Sequence, residues 1–281
     1  MSTVLGQLAL LLVISFLLGS IPWGVIISRV FYHTDLREHG SGNIGTTNAI
    51  RTMGKVGGYA VFVLDFGKGI VAGLIAAVFG TQVLPGNVLA VVEFVQTFGG
   101  SPNPFLYIEQ VCLVVAFLGC TMGHIFCPWL GFRGGKGIAV AVGCLFSTFG
   151  PVGALLEIAI FAVLVVATKY VSVGSIAAAA ACPLFALYFF WGNPVAFVLC
   201  LLVGLTVVWA HRENIARLRA GTENRIAVAR TRYNDTVRDF NAAIRKFPGS
   251  MFASGLNLKR AEFFEAPAGR AAVEKVPQVN F

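Results

Sequence analysis

Residues 1–28, MSTVLGQLALLLVISFLLGSIPWGVIIS, contain no charged side chain, and the first cation is Arg29. The run is longer than the roughly 7 to 15 apolar residues of a secretory signal core, and no basic segment precedes it. It therefore reads as a retained transmembrane helix. The rest of the chain is the same kind of material: 57% of its residues are hydrophobic and only 12% are charged, against about 25% in a soluble domain. Lipid is the expected solvent for most of the molecule.

A crossing needs roughly 17 to 25 mostly apolar residues. Seven segments qualify, at about residues 4–30, 56–80, 107–127, 137–150, 151–168, 171–191 and 194–210. The fourth is short for a full crossing, and Gly150-Pro151 marks either a turn or a kink after it. The loops are an independent test, because cytoplasmic loops collect Lys and Arg. Arg29, Arg37, Arg51 and Lys55 follow the first segment, and residues 81–106 after the second have none. Arg133 and Lys136 follow the third, Lys169 the fifth, and Arg212, Arg217 and Arg219 the seventh. The alternation predicts an all-α, polytopic membrane protein with seven transmembrane helices and its N-terminus outside.

That orientation gathers three polar loops on the cytoplasmic face. The first is Gly40-Ser-Gly-Asn-Ile-Gly-Thr-Thr-Asn48, followed by Arg51. Its glycines allow close backbone approach, so N–H groups can surround a phosphate while Ser41, Asn43, Thr46, Thr47 and Asn48 add neutral donors and Arg51 adds charge. Gly40, Gly42 and Gly45 spell G-x-G-x-x-G, but the dinucleotide fingerprint needs a preceding strand, and here a membrane span precedes it. The second loop runs from Gly123-His124 to Gly131-Phe-Arg-Gly-Gly-Lys-Gly137. Gly137 stands where a Walker A loop needs Ser or Thr, which removes the nucleotide reading. What remains is a glycine-rich approach to a helix N-terminus with Lys136 beside it, suited to an anion. The third loop, His211 to Glu223, sets His211 and Asn214 three apart on one helical face.

Asp65 and Lys68 interrupt the second span three residues apart and read as a structural pair. Ser172 and Ser175 stand at the start of the sixth span. The six cysteines lie in apolar stretches without a C-x-x-C pair, so no metal site is expected. No cofactor and no nucleic-acid partner are implied by any motif.

Together these residues resemble the acyl-phosphate-dependent glycerol-3-phosphate acyltransferases of bacteria. The resemblance covers about residues 4–223 and rests on Gly19-Ser-Ile-Pro22, Gly40 to Asn48 with Arg51, Leu64-Asp-Phe-Gly-Lys-Gly69, Gly123-His124, Gly131 to Gly137, Ser172, His211-Arg-Glu-Asn-Ile215 and Gly221-Thr-Glu223. It implies a multi-pass protein of the bacterial inner (cytoplasmic) membrane whose active site faces the cytoplasm among membrane lipids. It also implies that acyl phosphate and glycerol 3-phosphate are substrates and lysophosphatidic acid and phosphate are products. By the same resemblance Ser41, Gly42, Asn43, Gly45, Thr46, Thr47 and Asn48 hold the donor phosphate. Arg51, Lys136 with Gly135 and Gly137, Ser172, His211, Asn214 and Glu223 serve the acceptor, with His211, Ser41, Lys136 and Arg51 closest to the chemistry. Thr46 departs from the alanine expected in the family. The His-x4-Asp dyad of the soluble glycerolipid acyltransferases is absent. The rival reading is a transporter of a phosphorylated solute, for which internal repeats are expected and none is found.

From Asn224 onward the chain resembles instead the C-terminal end of LemA-type membrane proteins, in Asn224 to Arg230, Arg232-Tyr-Asn234, Phe247-Pro-Gly249, Phe263-Phe-Glu265 and Lys275 to Phe281. Tyr233, Val237, Phe240, Ile244 and Phe247 predict one cytoplasmic amphipathic helix followed by a loosely ordered end. The division expected is thus 1–223 and 224–281, joined either by a misjoined reading frame or by a natural fusion.

Overall fold

The computed structural model describes residues 1–223, 236–245, 250, 253 and 258–262. The chain divides into two units, Met1–Glu223 and Asn224–Phe281.

The first unit contains ten α-helices: α1 (Ser2–Gly19), α2 (Trp23–Tyr32), α3 (Thr46–Val78), α4 (Val88–Phe98), α5 (Pro104–Ile125), α6 (Ile138–Thr148), α7 (Gly150–Thr168), α8 (Val171–Phe189), α9 (Pro194–Ala210) and α10 (Arg212–Arg219). No strand occurs among the described residues. Five helical stretches are long and apolar enough to cross a membrane, or six if the bent pair of α9 and α10 is taken together.

Several expected spans are redrawn. The first is not one helix: it breaks at Ser20–Pro22, with Pro22 capping α2. The second begins ten residues early, at Thr46, and bends at Gly54, whose φ of 77° lies in the left-handed region. Residues 81–106 are not a bare connection. They carry α4, which buries Ala90, Val91, Phe94 and Val95 on one face and whose Glu93 binds the Met1 amine at 2.6 Å. The fourth expected span shrinks to α6, only 11 residues long; at 1.5 Å per residue it covers about 16 Å, half a hydrocarbon core.

α5 is the centre of the bundle: 78% of its span is buried, against 17% for the peripheral α7. Lipid tails are as apolar as leucine, so helices associate through close packing rather than by escaping water. Small residues make that possible between α1 and α5. A Cβ at Gly123 would stand 2.0 Å from the Phe16 carbonyl oxygen, whereas one at Gly6 meets nothing within 4 Å. Gly123→Val is therefore expected to lower the thermal midpoint in detergent sharply, since overpacking a closed contact costs about 1–3 kcal/mol or more. Gly6→Ala is the control and should leave the midpoint unchanged.

In the second unit residues 236–243 are helical, with Val237 buried. Asn241 exchanges two hydrogen bonds of 2.9 Å with the backbone of Ala261. Tyr233 and Phe247 of the expected stripe, and the remaining tail motifs, lie outside the described residues.

Candidate active site

The first polar loop is organised by Asn48. Its Oδ1 accepts from Ser41 N–H at 2.9 Å, and its Nδ2 donates to the carbonyls of Leu36 (3.0 Å), His39 (3.0 Å) and Asn43 (2.9 Å). Asn48 was expected to donate to a substrate; instead its amide is committed to the loop, and any effect on a ligand is exerted through Ser41 and Asn43. Gly40 and Gly42 take the positive φ values that fold the loop back, while Gly45 at φ −82° is an ordinary extended N-cap of α3. Asn43 Oδ1 accepts from Gly45 N–H at 2.9 Å. Thr46 and Thr47 open α3, where the first N–H groups have no intrahelical acceptor. Thr46 Oγ1 is buried without a hydrogen-bond partner. Ser41, the start of α3 and the buried, unpartnered Thr46 hydroxyl thus fall within six residues, and these are groups of the kind that bind an anion. Two loop cations are otherwise engaged: Arg29 and Arg37 both bind Asp35 at 2.7 Å. Hydrogen bonding from Arg37 holds the Asp35 carboxyl well below the usual carboxylate range.

The second loop is set by a buried network beneath it. Lys68 Nζ lies 2.8 Å from Asp65 Oδ1 and 3.0 Å from both the Ile21 carbonyl and His124 Nδ1. The ammonium can only donate, so His124 Nδ1 accepts and its hydrogen is on Nε2. At the break between α1 and α2 the Ile21 carbonyl accepts from Trp23 N–H at 3.1 Å as well as from the buried ammonium. Gly134 and Gly135 donate to the carbonyls of Ile125 and His124, each at 3.0 Å, and a Cβ at Gly135 would stand 2.1 Å from His124 Nε2. Gly135 is thus explained by close packing on His124, and its N–H is already used. Gly137 caps α6 in the left-handed conformation, which turns Lys136 away from the helix.

Lys136 donates to Asn214 Oδ1. From there one chain of contacts joins the remaining expected residues. Asn214 Nδ2 donates to Glu223 Oε1 at 2.6 Å, Ser172 Oγ donates to the same oxygen at 2.9 Å, and Arg217 Nε donates to Glu223 Oε2 at 2.7 Å. Burial raises the Glu223 carboxyl, but its bonds from Asn214, Arg217 and Ser172 prevail and hold it below its ordinary value. Burial pushes the Lys136 ammonium down to about 8, with repulsion from Arg217 and Arg51 adding to the effect and Glu223 and Glu213 opposing it. Arg51 is therefore near enough for Lys136 to feel its charge. His211 is buried, and its Nδ1 donates to the Val207 carbonyl at 2.8 Å, leaving Nε2 as an acceptor. Burial pushes the imidazole down to about 4, and Lys136 adds to this; it is neutral at pH 7.

Arg217 reads in the sequence only as one of the cations after the seventh segment, yet its guanidinium orients Glu223. Only the return of the chain after α10 brings Glu223 within reach, and a spacing of six residues carries no helical signal for such a pair.

Apolar helices of this length, with a network of Lys136, Asn214, Glu223, Ser172 and Arg217 beside the buried His211 where they meet their polar loops, define an integral membrane protein. Comparison with known proteins makes the assignment. Residues 9–221 match the family model "Glycerol-3-phosphate acyltransferase", and this chain belongs to that family. It is 37% identical to the glycerol-3-phosphate acyltransferase of Thermosynechococcus vestitus, over 81% of this chain and 98% of the relative. It is 39% identical to that of Rhodopseudomonas palustris, over 76% and 94%. Among solved structures, the integral membrane glycerol 3-phosphate acyltransferase PlsY in its glycerol 3-phosphate form superimposes with a TM-score of 0.61 at 33% identity, covering 78% of this chain and 94% of that one. The lysophosphatidic acid form gives 0.59. Residues 212–281 also match the LemA family model, so the two matches overlap across α10.

Proposed function

We propose that this chain transfers a fatty acyl group from acyl phosphate to the 1-hydroxyl of glycerol 3-phosphate in phospholipid synthesis. The observation that carries the proposal is the continuous network Lys136–Asn214–Glu223–Ser172, which ties two of the polar loops to the start of α8 beside a neutral His211. Ser41, Gly42, Asn43, Gly45, Thr46 and Thr47 hold the donor phosphate, and Asn48 shapes their loop. Arg51, Lys136, Ser172, His211 and Asn214 hold the acceptor.

The reaction forms a bond between the glycerol oxygen and the acyl carbonyl carbon and breaks the bond from that carbon to the phosphate oxygen. The phosphate leaves with the electron pair. The hydroxyl proton must go to a base, and His211 at about 4 is weaker than a phosphate oxygen, whose second pKa is about 6. The departing phosphate therefore accepts the hydroxyl's hydrogen bond and takes its proton, and the neutral His211 helps to position the acceptor without acting as the base. Positioning and cationic stabilisation do the rest.

Seven crossings with the N-terminus outside, in a bacterial inner membrane, fit this chemistry. Basic residues follow alternate apolar segments, with Lys136 in the loop before the short α6. The site then faces the cytoplasm, and residues 224–281 form a separate LemA-like appendage. The decisive assay is lysophosphatidic acid formation by the purified full chain from palmitoyl phosphate and labelled glycerol 3-phosphate. Incorporation of label into lipid is expected. Uptake of label into protein-containing vesicles with no lipid formed would replace the enzyme with a transporter.

A further inference from the structure

The buried ammonium of Lys68 has contacts that lead to both loops assigned to the substrates. Lys68, Asp65 and His124 are all buried. An ammonium has three N–H bonds to give, and its acceptors here come from three places. Asp65 Oδ1 on α3 lies at 2.8 Å, His124 Nδ1 on α5 at 3.0 Å, and the Ile21 carbonyl, at the break between α1 and α2, at 3.0 Å. A buried ion pair is often no more stabilising than hydrocarbon of the same volume, so stiffening the bundle does not by itself call for one. What hydrocarbon cannot do is hold acceptors on different elements in fixed directions.

Two of those acceptors lead onward. From Ile21 the chain enters α2 through Pro22, and α2 meets the first polar loop backbone to backbone: a Cβ at Gly24 would stand 2.0 Å from the carbonyl oxygen of Ile44, which lies between Asn43 and Gly45. The same break is held from the end of α5, where Trp129 Nε1 donates to Ser20 Oγ at 2.9 Å and the Cys127 thiol donates to the Ser20 carbonyl at 3.0 Å. From His124 the path is shorter. Gly135 N–H donates to the His124 carbonyl, a Cβ on Gly135 would stand 2.1 Å from His124 Nε2, and the next residue is Lys136. With backbone packed this closely, a shift of the ammonium is passed to the Asn43–Gly45 turn on one side and to Lys136 on the other.

We infer that Lys68 is a positioning residue for the transfer: through Ile21 and His124 it sets the donor loop and Lys136 at the separation the reaction needs. The inference rests on the acyltransferase reading above and deepens it. Transfer needs the glycerol oxygen within about 3–3.5 Å of the acyl carbon, and a misplacement of about 1 Å costs roughly a hundredfold in rate. Each loop keeps its own bonds when the hub is lost, Asn48 to Ser41 in the first and Lys136 to Asn214 beyond the second. Each substrate is therefore still bound, and the loss falls on kcat.

The test uses the full-length protein with palmitoyl phosphate and labelled glycerol 3-phosphate, each varied while the other saturates. Lys68→Met combined with Asp65→Leu removes both charges and leaves neither unpaired. His124→Asn keeps an acceptor oxygen near the place of Nδ1, and His124→Leu keeps none. The double variant should melt near wild type and lose about a hundredfold in kcat, with each KM within about threefold of wild type. His124→Leu should lose kcat to a similar extent, and His124→Asn should retain most of it. A folded double variant with wild-type kcat, or a loss confined to KM for one substrate, would overturn the inference. Should the double variant not fold, the histidine pair decides: equal kcat for His124→Asn and His124→Leu overturns it. No lysophosphatidic acid from the wild-type protein would instead overturn the reading on which it stands.

Discussion

Lys136→Met is expected to lower kcat/KM for glycerol 3-phosphate by about a thousandfold, because it removes the cation that meets a phosphate in a partly dry site. The side chain keeps its length and apolar stem, so the change isolates charge. Thermal stability should not fall with activity. Burial brings the ammonium down to about 8 from its ordinary 10.5, so the unfolded chain binds the proton more tightly. The folded state therefore carries the full penalty below about pH 8, and the penalty fades as pH rises toward 10.5. Removing the charge at neutral pH relieves it. The same shift sets the direction of the pH profile. Lys136 is charged below about pH 8 and neutral above, so KM for glycerol 3-phosphate should rise on the alkaline side. Lys136→Arg should move that limb upward while restoring only part of the rate, since a guanidinium does not deprotonate but is longer and planar. Initial rates against pH and melting curves on the same samples read both effects. A flat KM across pH 8, or a Lys136→Met protein that melts far below wild type, would assign Lys136 to structure instead.

Asn48→Ala should impair the donor side by a comparable amount and leave the acceptor side nearly intact. The substitution removes four hydrogen bonds at once and takes a donor from the carbonyls of Leu36, His39 and Asn43, of which His39 keeps Gly42 N–H at 3.0 Å. Each unsatisfied buried group costs about 1–3 kcal/mol. The loop can recover part of that by turning its carbonyls to water, but then Ser41 and Asn43 no longer converge. KM for palmitoyl phosphate is expected to rise about a hundredfold or more, with KM for glycerol 3-phosphate within a fewfold of wild type. Asn48→Asp discriminates further: it keeps the bond from Ser41 N–H yet turns a second acceptor toward three carbonyls, so it should be no better than alanine.

These two residues also mark what a sequence can and cannot reveal. Lys136 is legible because a cation among glycines at a helix start has few other uses, and its ammonium donates to Asn214, another residue the sequence singles out. Asn48 was legible as important but not in its role, since nothing in its spacing says that its partners are three carbonyls upstream of it. The apolar runs predicted the long helices, and the fourth already read as short, but periodicity blurs where every face is apolar, so the break at Ser20–Pro22 was invisible. α4 was missed because eleven residues among turns fall below any spanning threshold.

The brevity of α6 has a consequence for how two unlike reactants meet. Glycerol 3-phosphate belongs to water, and a fatty acyl tail belongs to oil; neither dissolves where the other is comfortable. Because α6 starts only at Ile138, the residues before it are free of helix, and they bring Lys136 to Asn214. On the acyltransferase reading proposed above, polar groups then stand deeper in the slab at this spot than a full-length helix would put them. A shortened helix would thus do the work of a moving carrier: the small polar molecule keeps its hydration while the tail stays where it is most soluble.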